Sequence, residues 1–166
     1  MKNTIKYLTP VILVIALTGI ISGTNQDVRQ PISFNHKLHT EEVGLACVDC
    51  HSNVEKHSRA LIPNIETCGD CHDDAEDENR EKAKVGSYVS RNEKIPWIQI
   101  HVVPDHAYFS HRRHVTLAKI ECQTCHGEVS EMERPFIIPF VELEMSWCIN
   151  CHEKSKVVND CNSCHR

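Results

Sequence analysis

The sequence predicts a mostly irregular domain of short α-helices whose core is not built of side chains, preceded by one N-terminal transmembrane helix. Three observations lead there. Ten cysteines fall into one short pattern that recurs along the chain. Aromatic residues make up only 5% of the sequence, too few for a core made of protein alone. The first 23 residues carry two lysines followed by an apolar run.

The recurring pattern is Cys-x-x-Cys-His. It stands at Cys47, Cys50 and His51; Cys68, Cys71 and His72; Cys122, Cys125 and His126; Cys148, Cys151 and His152; and Cys161, Cys164 and His165. These are motifs 1 to 5. Together they use every cysteine. Two cysteines three apart lie on one side of a helical turn. Both can form thioethers to the vinyl groups of one porphyrin, and the following His presents its imidazole to the iron. The prediction is five covalently attached haem c groups. Disulfides are the ordinary use of an even cysteine count in an exported chain, but they give no reason for His after every second Cys. Zinc sites usually take two Cys-x-x-Cys pairs, or Cys and His at other spacings.

Length and charge set further bounds. A chain of 166 residues is one domain by size. Residues 24–166 leave roughly 29 residues for each haem, so the porphyrins must supply much of the buried apolar surface. Such a domain is expected not to fold without haem, as with small metal-dependent domains. The formal charge of −5, made more negative by haem propionates, excludes nucleic acid as a partner class.

Residues 1–23 place Lys2 and Lys6 before an apolar run from Tyr7 to Ile21. No A-x-A cleavage site follows, so the segment reads as an uncleaved anchor over a cleaved signal peptide. The lysines belong in the cytoplasm, which sends residues 24–166 to the periplasmic side of the inner membrane as a single-pass protein. Covalent haem attachment belongs to the same exported compartment.

The body of the chain is duplicated. Phe34, His36 and His39 precede Cys47; Phe109, His111 and His114 precede Cys122 at the same spacing. The offset of 75 also relates Lys37 to Arg112, Leu45 to Ile120 and Val54 to Val129, and shifts by one to relate Ile62-Pro63 to Ile138-Pro139. The repeats are 34–72, with motifs 1 and 2, and 109–152, with motifs 3 and 4. The fifth motif, 161–165, is an appendix. Between the repeats, the acidic run Asp73 to Glu78 reads as a solvated linker rather than a docking patch. Ile95 to His101 reads as an extended apolar segment ahead of a turn at Pro104-Asp105.

Seven histidines lie outside the motifs, and five irons need distal ligands. The two F-x-H-x-x-H units offer His36, His39, His111 and His114. One short turn cannot put two imidazoles on one iron, so the two histidines of a unit should serve different haems. For the fifth ligand, His101 is preferred over His57 and His106; Met132 and Met145 are the sulfur alternatives.

The F-x-H-x-x-H unit followed by Cys-x-x-Cys-His resembles the class III multihaem cytochromes c. In those, the first His of the pair binds the haem just downstream and the second binds a neighbour. Residues 95–152 are similar to the pentahaem subunit of alternative complex III. The likeness rests on Ile95-Pro96-Trp97, His101 to Asp105, Tyr108 to His111, His126-Gly127 and Met145 to Cys148. That resemblance implies a single membrane helix, five haems, and His36, His39, His101, His111 and His114 as distal ligands. It also implies an integral-membrane quinol-binding subunit and an iron–sulfur subunit as partners.

Function follows as electron transfer without catalysis by the chain itself. The expected role is a membrane-anchored subunit passing electrons from a quinol-oxidising complex to a periplasmic cytochrome c or similar acceptor. An independent periplasmic shuttle, or a subunit of another quinone or molybdopterin-type oxidoreductase, is the alternative. A haem enzyme needs an open iron position, which seven spare histidines for five irons disfavour.

Overall fold

The computed structural model describes residues 29–165. Among them there is no strand, and only one isolated bridge, between Ala107 and His165. Six α-helices occur: α1 (Cys47–Cys50), α2 (Ile65–Cys68), α3 (Arg80–Ser90), α4 (Gln123–His126), α5 (Met145–Lys154) and α6 (Cys161–Cys164). Everything except α3 and α5 is a single turn. No helix of the described residues is long and apolar enough to cross a membrane. The membrane helix expected within residues 1–23 lies outside the described residues.

The duplication is visible in the backbone. Both F-x-H-x-x-H units open wide π-turns, Leu38–Glu42 and Arg112–Leu117. Val43 donates to Leu38 O and Leu45 to His39 O; Ala118 donates to Arg113 O and Ile120 to His114 O, the same bonds one repeat later. The left-handed residue after each turn also repeats, as Gly44 at φ 81° and Lys119 at φ 56°. A π-turn offsets successive side chains more than an α-turn does, and such turns gather at functional sites.

Helix α3 follows the acidic run read as a solvated linker, in a stretch where the sequence set no element. Asn79 caps it, accepting from Glu81 N and Lys82 N, and Lys84 pairs with Glu81 one turn on. Asn92, at φ 51°, ends it. Its buried Val85 joins Ile32 and Ile95, with Ile65, Tyr88, Val89 and Trp97 packed around them. Asn64 ties this cluster together. Its Oδ1 caps α2 and accepts from Ile95 N at 2.8 Å, while its Nδ2 donates to Ile95 O at 3.1 Å. Gln30 holds Ile98 in the same two-sided way, and the Trp97 indole donates to Pro63 O. The apolar segment from Ile95 is thus extended, and side-chain amides stand in for a neighbouring strand.

Elsewhere side chains bury little. The only other buried apolar residue among those described is Val54, whereas Leu61, Ile137, Ile138 and Phe140 are each more than half exposed. A domain of this size normally buries most of its large apolar side chains. These lie instead along the loops that follow motifs 1 and 3.

Candidate haem-binding centres

Each Cys-x-x-Cys-His motif forms one helical turn. The His N–H donates back to the carbonyl of the first Cys at 2.9–3.0 Å in motifs 1, 2, 3 and 5. In motif 4 the same residues lie inside α5. Asp49 and Asp160 brace α1 and α6, binding the backbone N–H of Ala46 and Ser163. No disulfide joins any of the ten cysteines. Burial raises the thiols of Cys50, Cys68, Cys122, Cys125 and Cys148, which disfavours a reactive-thiolate role.

The non-motif histidines meet the motif histidines in pairs. The ring centroids of His39 and His72 are 6.1 Å apart, those of His111 and His126 6.4 Å, and those of His114 and His152 6.1 Å. A metal bonded to one nitrogen of each ring at about 2.0–2.1 Å puts two centroids roughly 6 Å apart. Phe34 stacks on His39 and Phe109 on His114, at 4.4 Å in each repeat, which fixes the second imidazole of each unit.

Hydrogen bonds set the tautomers. Nδ1 faces a backbone carbonyl in His39 (Asn35), His111 (Ser58), His114 (Ser110), His152 (Val158) and His165 (His106), at 2.7–3.1 Å. Nε2 is left as the lone-pair donor, the usual second-shell arrangement around a metal-bound imidazole. Burial, then neighbouring histidines, lower His36 and His126 to about 4. His51, His72, His101 and His111 are also lowered, with burial the largest cause. Neutral imidazoles at pH 7 are what ligation to iron requires. The paired rings, with Nε2 left free in His39, His111, His114 and His152, and the exposed apolar loops are a donor set that suits haem iron.

The remaining histidines divide. His36 is half-buried beside His51, its Nδ1 without a hydrogen-bond partner. His101 has a buried, unpartnered Nε2 and meets His126 edge-on at 4.5 Å. The sequence did not place His101 beside motif 3, because nothing in its spacing ties it to Cys122. His57 and His106 are exposed. The ring of His106 lies 5.5 Å from that of His165, but its own carbonyl accepts from His165 Nδ1. A residue anchored behind that imidazole cannot also face it across an iron. Met145 is exposed, and Met132 offers its backbone carbonyl, not its sulfur, to Lys37.

The family profile described as "Cytochrome c7 and related cytochrome c" matches residues 32–87 and 107–166. The chain belongs to this family. The cytochrome is therefore a multihaem c-type electron carrier with covalently bound haem c, and the two matched stretches take in all five motifs. It is also similar to "Menaquinone reductase, multiheme cytochrome c subunit" of Nitratidesulfovibrio vulgaris (strain Hildenborough). The two are 36% identical over 105 residues, which cover 63% of this chain and 48% of that protein. The chain thus matches about half the length of this relative.

Proposed function

We propose that this cytochrome carries haem c on all five motifs and is the electron-transfer subunit of a membrane quinone oxidoreductase. The observation that carries the reading is the set of facing imidazoles at 6.1–6.4 Å. Haem c bound by two imidazoles takes up and releases single electrons at low potential. The chain's own part is to hold those imidazoles. Phe34 and Phe109 stack the rings in place, and the carbonyls of Asn35, Ser110 and Val158 fix the tautomers. In the three facing pairs a histidine on each side leaves no place for a substrate, which favours a conductor over a haem enzyme.

The quinone link is supported by the relative's role in a menaquinone reductase and by the likeness of residues 95–152 to alternative complex III subunits. Residues 1–23 would anchor the cytochrome in the inner membrane with its haem domain in the periplasm. An integral-membrane quinone-binding subunit and an iron–sulfur subunit would be its partners, and a periplasmic cytochrome c would exchange electrons at the far side. In the alternative complex III reading, electrons leave quinol for that acceptor. The menaquinone reductase relative favours the opposite direction.

Mild detergent extraction followed by affinity purification tests the assembly. The expected result is copurification with a multi-pass membrane protein and an iron–sulfur protein. The isolated complex then decides direction: reduction of the haems by a menaquinol analogue supports quinol oxidation, and reduction by a periplasmic cytochrome followed by quinone reduction supports the other. A protein purified alone from the soluble periplasmic fraction would overturn the subunit reading.

A further inference from the structure

The order of the motifs in space is not their order in the chain. Cys50 of motif 1 lies in electrostatic range of both Cys68 and Cys71 of motif 2. Motif 1 also meets motif 3 across the repeats: the loop after motif 1 accepts from the second unit, His111 N–H and Nδ1 bonding Ser58 O and Arg112 N–H bonding His57 O, and His51 neighbours His126. Cys125 of motif 3 lies beside Cys148 and Cys151 of motif 4. Cys148 in turn neighbours Cys164 of motif 5. Motif 5 is held by backbone bonds to the residues before the second unit, with Tyr108 N donating to Cys164 O at 2.7 Å and Ala107 bridging His165, while His152 Nδ1 of motif 4 bonds Val158 O on the short connector between motifs 4 and 5 at 2.7 Å.

The imidazole pairs follow the same path. The first unit has His36 beside His51 of motif 1 and His39 facing His72 of motif 2. The second has His111 facing His126 of motif 3 and His114 facing His152 of motif 4. Each unit therefore spans one inner and one outer motif, and the two inner motifs meet at the centre of the duplication.

We propose that the haems form one unbranched row in the order 2–1–3–4–5. Motifs 1 and 3 are the junction between the halves, and motifs 2 and 5 are the two ends through which electrons enter and leave. The proposal rests on haem attachment to the five motifs and not on the quinone-linked role, so the two fail separately. It has consequences for the connection itself. The fourth motif, second from one end, has two neighbours, whereas the second motif, adjacent in sequence to motif 3, has only one.

Iron anomalous scattering from crystals of the holoprotein tests the order directly. Motif 2 should have motif 1 as its nearest iron, motif 5 should have motif 4, and irons 2 and 5 should be the most widely separated pair. An iron of motif 2 nearer to motif 3 than to motif 1, or an iron of motif 5 nearer to motif 3 than to motif 4, overturns the row. Redox titration followed by NMR of the haem methyl resonances gives a second readout. His39→Met should shift the midpoint of motif 2 and of one neighbour, and His114→Met those of motif 4 and of two neighbours. The same number of responding neighbours in both variants would also overturn it.

Discussion

Lys37 donates its backbone N–H to the carbonyl of Met132 at 3.1 Å, and Arg112, at the equivalent place in the second repeat, donates to His57 at 3.1 Å. Donor and acceptor are each displaced by the repeat offset of 75. Thr40 and Thr116 add side-chain bonds to Ser130 O and Glu55 O, again an equivalent pair of acceptors. Each F-x-H-x-x-H turn is therefore seated on the loop that follows the first motif of the opposite half. The halves hold each other's histidines in place, which couples the geometry of one repeat to that of the other.

His39→Ala and His114→Ala are expected to open the distal position of the haems of motifs 2 and 4, and not of the motifs that directly follow them in sequence. The 6.1 Å separations from His72 and His152 assign these partners. Each variant should gain one high-spin haem that binds carbon monoxide, seen by EPR and by CO-difference spectra. Assigning that haem to motif 1 or motif 3 would defeat the claim.

The Cys-x-x-Cys-His pattern was legible because haem attachment is local chemistry: spacing within five residues fixes it. The duplication was legible because the same local chemistry recurs, down to Gly44 and Lys119 sharing a left-handed backbone. Other features left weaker traces. The reciprocal brace of Lys37 and Arg112 uses backbone N–H and C=O groups, which every residue carries. Helix α3 follows an acidic run, and Asn79 with the Glu81–Lys84 pair was the signal that could have located it. The row of motifs depends on contacts between cysteines far apart in the chain, and no sequence periodicity encodes those.

Gly127→Ala should damage the third motif. Gly127 directly follows His126, with φ 67° and ψ −166°, a region essentially reserved for glycine. A Cβ there would also meet the Phe140 ring at 2.7 Å. Strain of this kind costs about 1–3 kcal/mol. The expected outcome is a lower melting temperature of the holoprotein together with a changed spectrum for a single haem. An unchanged melting curve would count against the placement of Phe140 over this turn.

Gly86→Ala tests the protein-only cluster at the other end. Its Cβ would overlap the backbone carbonyl of Asp74, which cannot rotate away. Overpacking of this type costs about 1–3 kcal/mol. Because Asp74 lies two residues after His72, loosening should appear first at motif 2. Hydrogen exchange should quicken across residues 65–90 while α5 and α6 keep their protection. A uniform change across the chain would speak against a separate cluster here.

His101 and His106 make the sharpest contrast, because both precede the second repeat and only His101 has a buried ring nitrogen without a hydrogen-bond partner. His106 is exposed, and its link to the fifth motif is a backbone carbonyl at 2.9 Å from His165 Nδ1. Replacing its side chain leaves that carbonyl in place. His106→Ala should therefore keep every haem low-spin, with at most a small change in one midpoint potential from loss of the stacked ring. His101 instead has a buried Nε2 with no hydrogen-bond partner, beside His126 at 4.5 Å. A buried polar nitrogen without a partner costs about 1–3 kcal/mol unless something binds it. We expect iron to be that partner, at a haem other than that of motif 3, whose second face His111 takes, so His101→Ala should convert one such haem to a high-spin, carbon monoxide-binding form. EPR of the two variants side by side reads both outcomes. A high-spin signal from His106→Ala, or none from His101→Ala, would reverse the assignment and return His101 to a packing role against Phe136.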